Sequence, residues 1–161
     1  MAGDGAAGSR RPVLVVVCGL PGSGKTTLAR RLAERGQLVR LCADDWMERR
    51  GMSLWDLEAR AEVEREQHGV MLTLLDERRG VVVEWGTWFR RERDALREVG
   101  RSRGARVELR FLDAPDEELW RRIAGRRRED PPITLADLRS WRELFEVPTE
   151  QELALFDEPE D

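Results

Sequence analysis

The apolar positions of this chain fall into two alternating kinds of pattern. Short unbroken runs are followed, again and again, by longer stretches in which apolar residues recur every three or four positions. Residues 13–18 (VLVVVC) form the first run and read as a central parallel strand covered on both faces. A glycine-rich segment follows, then TLARRLAERG, which places Leu28, Leu32, Ala29 and Ala33 on one helical side and stops at Gly36. Residues 38–43 (LVRLCA) predict a second, shorter strand ending at Asp44 and Asp45.

From residue 53 to about 77 the period is helical, with Ser53 as a candidate N-cap and Gly69 as a point where the stretch divides in two. GVVVE (80–84) predicts a third strand, 89–101 a third helix, and RVELRFL (106–112) a fourth strand whose partial alternation fits a less covered position. A helix opens at Ala114-Pro115-Asp116 and runs to about Arg127, where Asp130-Pro131-Pro132 ends it. Thr134, with Asp137 three residues on, caps a last helix through Phe145, and the tail packs in part through Leu153, Leu155 and Phe156. Strand and helix thus alternate with short connections, the mark of a three-layer α/β/α fold around a parallel sheet of four to five strands. One domain over 13–158 is expected, preceded by a flexible leader over 1–12.

Composition narrows the function classes. The chain has 161 residues, 40% hydrophobic and 37% charged, without an apolar run long enough to span a bilayer, so a cytoplasmic protein without a membrane partner is expected. Its net charge of −4 argues against nucleic acid as the main partner. Cys18 and Cys42 read as buried apolar residues, and one histidine with two scattered cysteines offers no zinc site. Of 28 basic residues Lys25 alone is lysine, and it stands where a phosphate-binding loop requires one.

That loop, Gly19-Leu20-Pro21-Gly22-Ser23-Gly24-Lys25-Thr26, matches G-x-x-x-x-G-K-[ST] between a buried strand and a helix. Its glycines let the backbone wrap phosphates, and the amides through Thr27 at the helix start point at them. Lys25 is expected on the β- and γ-phosphates, and the Thr26 hydroxyl on Mg²⁺. ATP is the expected nucleotide, because a lone lysine leaves no guanine-reading N-K-x-D.

Two predicted strands end in acids, and ligands of open α/β sheets lie beyond those ends. Asp44 is the candidate that orients or deprotonates an acceptor hydroxyl, with Asp45 as its competitor and an Asx turn or helix cap as the plain structural alternative. Glu84 is the candidate second carboxylate or metal-side group. Arg122 and Arg126, four apart on one helix face, are expected in a lid (about 119–132) contacting ATP phosphates. Trp46, Trp85 and Trp88 lie on the expected rim, where an acceptor with a flat or apolar body could pack. Arg90, Arg91 and Arg93 read as anion contacts or as surface, and His68 as structural.

The blocks GLPGSGKTTLAR (19–30), ADDW (43–46), VVVEWGTWFRRERDALR (81–97), RRIAGRRR (121–128) and FEVPTEQE (145–152) resemble the compact P-loop kinases and AAA-type ATP-binding domain proteins. Chloramphenicol phosphotransferase, zeta toxins, gluconate and adenylylsulfate kinases and the kinase part of polynucleotide kinase belong to that wider set. The resemblance implies an adenylate-kinase-like fold, with Asp44 in the acceptor-activating place and 121–128 as the lid. It places Phe145, Glu146 and Pro148 in a segment near the nucleotide or closing the fold.

Two departures matter. Met47 stands where polynucleotide-kinase-like members carry an acceptor-phosphate arginine, and Glu84 stands where an aspartate is usual. The resulting expectation is a monomeric or homodimeric ATP-dependent kinase acting on a hydroxyl of a small molecule such as an antibiotic, nucleoside or sugar. The competing readings are an ATPase or ATP-binding switch without an acceptor, and a polynucleotide kinase.

Overall fold

The computed structural model describes residues 10–160. Four strands, β1 (Val13–Cys18), β2 (Val39–Cys42), β3 (Val81–Gly86) and β4 (Arg106–Phe111), form one parallel sheet in the order β2-β3-β1-β4. Seven helices complete the described chain: α1 (Lys25–Gly36), α2 (Ala43–Arg49), α3 (Leu57–Asp76), α4 (Arg90–Ser102), α5 (Asp116–Arg126), α6 (Leu135–Leu144) and α7 (Glu150–Leu153). None of the described helices is long and apolar enough to cross a membrane.

Strand pleating explains why VLVVVC must be apolar throughout. Val15 and Val17 face α1, where they pack with Ala29 and Val82, while Leu14, Val16 and Cys18 face the larger core on the other side. That larger core holds Met71, Leu74 and Leu75 of α3, Leu96 of α4, Leu119 and Ile123 of α5 and Leu138 of α6. The partial alternation of 106–112 corresponds to the edge position of β4.

Several boundaries differ from the sequence reading. The second strand, expected over 38–43, spans Val39–Cys42, and Ala43, Asp44 and Asp45 open α2, where the two acids suit the helix dipole. The cap of α3 is Asp56, whose side chain accepts from the Ala59 amide, and the Ser53 hydroxyl instead accepts from the Trp55 amide. Helix α3 passes through Gly69 without a break. A glycine there costs about 1 kcal/mol, and the packing of Val63, Gln67 and Met71 on the same helix outweighs it. Strand β3 continues through Trp85 to Gly86, beyond the expected end at Glu84.

Thr134 caps α6 with Asp137, as the sequence suggests. In the tail Phe156 is buried while Leu153 and Leu155 stay largely exposed, and Asp157 bonds to the Val107 backbone through both its amide and its carboxylate. Residues 1–9 of the expected leader lie outside the described residues, whereas Arg11 donates to the Gly104 and Ala105 carbonyls.

Candidate active site

The phosphate loop is shaped by two backbone demands that only glycine meets well. Gly22 has φ +82°, and a Cβ there would meet the Leu119 carbonyl oxygen at 2.6 Å. Gly24, at φ +99°, is the N-cap of α1 and carries no side chain to occupy the helix start. The first-turn amides of α1 are therefore free to bind an anion.

Lys25 folds back over the loop, its Nζ donating to the Gly19 and Leu20 carbonyls at 2.7 and 3.1 Å. Burial pushes its pKa down to about 8, against the opposing pull of Asp44 and Glu84. Thr26 Oγ1 donates to Glu84 Oε1 at 2.7 Å, so the two residues assigned to the metal from sequence sit side by side. A hydroxyl and a carboxylate at the mouth of a phosphate loop form the hard-oxygen donor set that Mg²⁺ takes.

From Glu84 an unbroken chain of charges runs to the lid. Arg40 bridges Glu84 and Asp45, and Arg128 bridges Asp45 and Glu48. Burial raises the Asp45 carboxyl, but hydrogen bonds from Arg40 and Arg128 hold it below its ordinary range overall. Asp45 is thereby occupied, and it does not line the cavity beside the loop; Asp44 does. Arg60 of α3 donates to Asp44 Oδ1 at 2.5 Å, and Oδ2 accepts no hydrogen bond among the described residues.

That cavity has a volume of about 930 Å³. Lys25, Thr26, Arg122 and Arg126 line it together with Asp44, Glu84, Trp85 and Trp88. Arg122 also donates to the Gly22 carbonyl at 3.0 Å, which ties α5 to the phosphate loop. Of the expected rim aromatics, Trp46 is not in the wall; it packs against the core beneath Arg50. Trp55 and Trp141 stand in the wall instead. Their ring centroids are 5.9 Å apart, and those of Trp141 and Trp88 5.8 Å, so three indoles make a connected aromatic face. Two of the wall's indole N–H groups are satisfied, Trp55 by the Pro131 carbonyl and Trp85 by Gln67.

Arg93 overturns the expectation of an anion contact or surface residue. It is 0% exposed and forms a double hydrogen bond to Glu152 at 2.6 and 3.0 Å. Its remaining N–H groups bind the Thr87 and Glu146 carbonyls. Thr87 holds φ +48°, a costly backbone for a β-branched residue, and the Arg93 bond fixes its carbonyl there. The 145–152 segment thus closes the fold behind the aromatic wall.

Arg40, Arg60 and Glu64 are site residues that the sequence reading did not single out. Only Arg40 gave a signal, as a charge inside an apolar strand. His68 lies beside Trp85, ring to ring at 6.4 Å, and does not line the cavity. Cys18 and Cys42 are buried free thiols, and burial pushes Cys42 up to about 12. Among the described residues no cluster of three or more His, Cys, Asp or Glu side chains could hold a metal ion.

Residues 14–148, from the first strand into the closing segment, match the family model described as AAA domain (AAA_33). The chain belongs to that family. A relative in sequence, a UPF0200 protein of Pyrobaculum aerophilum, is 33% identical over 139 residues, 81% of this chain and 77% of the relative. Among solved structures, the gluconokinase of Sinorhizobium meliloti is similar at TM-score 0.61 and 25% identity, covering 88% of this chain and 79% of that one. The APS kinase of Mycobacterium tuberculosis, in complex with AMPPNP and APS, is similar at TM-score 0.53 and 28% identity over 70% of this chain and 68% of its own. A chain of the Pnkp1/Rnl/Hen1 RNA repair complex shares the fold at TM-score 0.68 and 22% identity, over 91% of this chain and 46% of that one. The AAA-domain chain therefore has a P-loop kinase fold.

Proposed function

We propose that this protein is an ATP-dependent phosphotransferase that moves the γ-phosphoryl group to a hydroxyl of a small molecule. The observation that carries this reading is the shared cavity: Lys25 and Thr26 of the phosphate loop and Asp44 line one space, and that space extends on to an aromatic wall. A nucleotide-only site has no use for that extension.

In this reading the amides of α1 and the Lys25 ammonium bind the β- and γ-phosphates. Arg122 and Arg126 face the same space from the lid helix, where planar guanidinium groups suit the charge spread over the transferred group. Thr26 and Glu84 would hold Mg²⁺, which when bound supplies charge neutralisation for the phosphates. Asp44, its Oδ1 fixed by Arg60, presents Oδ2 to the acceptor hydroxyl. The acceptor oxygen forms a bond to the γ-phosphorus while the bond to the ADP oxygen breaks, and the hydroxyl proton passes to Asp44.

Asp44→Asn is expected to lower acceptor-dependent ADP formation by about 10²-fold, a usual size for one general base, while ATP affinity measured by calorimetry changes little. Transfer that survives the substitution rejects the role of Asp44. Equal ADP formation with and without every acceptor tried favours the alternative reading of an ATPase or ATP-binding switch.

A further inference from the structure

The cations that line the cavity stand mostly on its phosphate-loop side. Lys25, Arg30, Arg122, Arg126 and Arg128 belong to the phosphate loop, α1 and the lid segment, where Glu129 is paired with Arg126. The wall formed by α3 and the start of α4 carries Glu64 and Glu92 against a single cation, Arg60. Arg60 is already engaged by Asp44 and by the Leu54 carbonyl. An anionic acceptor would find no free cation on that wall and two carboxylates to repel it.

The carboxylates are not satisfied by the protein itself. Glu64 makes no ion pair and no hydrogen bond among the described residues, and Glu92 accepts only the Phe89 amide through Oε2. Beside them Thr87, 4% exposed, lines the same cavity with a hydroxyl that finds no hydrogen-bond partner. A buried polar group without a partner costs about 1–3 kcal/mol, so the wall is built for a ligand that completes it. The indoles of Trp55, Trp85, Trp88 and Trp141 line the same cavity. An indole face attracts a cation as well as a flat ring.

Resting on the phosphotransferase reading above, we infer that the acceptor is a hydroxyl compound with a flat apolar body and a protonated amine, the body against the tryptophan wall and the ammonium facing Glu64 and Glu92. The state of Glu64 agrees with a missing counter-charge. Burial pushes its carboxyl up to about 7; Arg60 on its own helix opposes this, and Glu92 from α4 and Asp44 from α2 add to it. An ammonium brought to this wall holds Glu64 ionised, so its binding strengthens as pH rises through about 7.

The test is equilibrium binding, measured by calorimetry on the full chain with AMPPNP and Mg²⁺ present, for ligand pairs that share a hydroxyaryl body and carry an ammonium or a carboxylate on the side chain. Tyramine against 4-hydroxyphenylacetate and serotonin against 5-hydroxyindole-3-acetate serve as probes. At pH 8 each amine is expected to bind at least about tenfold tighter than its acid, a gap of about 1.4 kcal/mol, and more weakly at pH 6 than at pH 8. Glu64→Gln combined with Glu92→Gln is expected to bring each pair within about twofold, with AMPPNP affinity retained as the sign of an intact fold.

An acid that binds as well as its amine, a preference that survives the double substitution, or no binding by any probe overturns the inference; the wild-type comparison decides even if the double variant misfolds. Amine binding without any acceptor-dependent ADP formation keeps the assigned ligand class and rejects the transfer reaction. Transfer to an acid does the reverse.

Discussion

The two halves of the cavity are made in different ways. The nucleotide half is mostly backbone: amides at the start of α1, glycines at positive φ, and one lysine held over them by loop carbonyls. The half proposed above for an acceptor is side chain throughout, assembled from α2, α3, β3, α4 and α6, and backed by the buried pair of Arg93 and Glu152. The phosphate loop itself is eight consecutive residues, joined by Arg122 and Arg126 from the lid helix, whereas the second half has no such local unit and draws on residues from Asp44 to Trp141. A local motif can specify the loop wherever the fold presents a strand and a helix; the second half exists only once the whole sheet has formed.

The sharpest way to break the comparison is to disable one half and read the other. Lys25→Ala is expected to lower turnover by about 10³-fold, the upper size for removing one charge-stabilising donor from a phosphoryl site, and to weaken ATP binding. Binding of an acceptor probe should stay within about twofold, because no acceptor-wall contact passes through Lys25. Parallel calorimetry with ATP and with probe checks this, and loss of both together would show that the halves are one unit.

A smaller effect is expected from behind the wall. Arg93→Met leaves Glu152 buried without its partner and frees the Thr87 and Glu146 carbonyls. Breaking such a pair costs about 3 kcal/mol, to be read as a shift in the urea unfolding midpoint. Adding Glu152→Leu is expected to recover part of that loss, since the orphaned charge is then gone. A single variant as stable as the parent would show that the clamp does not hold the acceptor wall.

The same division explains what could be read from the chain beforehand. The order of strands and helices, the phosphate loop and the Thr134 cap are written in neighbouring residues, and they stand in the structure close to where the pattern puts them. The rule that ligands gather beyond strand ends singles out Glu84, and in the structure it accepts a hydrogen bond from Thr26 of the loop. The meaning of Arg93 was hidden, because a charge in the first turn of a charged helix looks like surface. Its partner Glu152 lies 59 positions away, and nothing in the residues around either one links the two. Trp55 and Trp141 likewise have no local signal, since they meet only in the folded chain, and Trp46 stands next to an acidic pair in sequence while its helix turns it toward the core.

The smallest of these effects concerns protons, and it tests whether the nucleotide half is electrostatically poised. In the ligand-free protein burial holds Lys25 at about 8, well below its ordinary 10.5. Between those two values the unfolded chain carries more protons than the folded one, so stability rises with pH there. The cost of burying the Lys25 charge is present in full below pH 8 and is relieved as pH climbs toward 10.5. Bound phosphates reverse the balance, because an anion beside the ammonium raises its pKa again. Nucleotide binding should then take up a proton above pH 8, and ATP affinity should fall about tenfold between pH 7 and 9, as the protonated fraction of the free site drops. Titrations in buffers of different ionisation enthalpy count that proton directly. Lys25→Arg, charged at every pH used, should bind ATP with no such fall; a fall of equal size in that variant would assign the proton to a group other than Lys25.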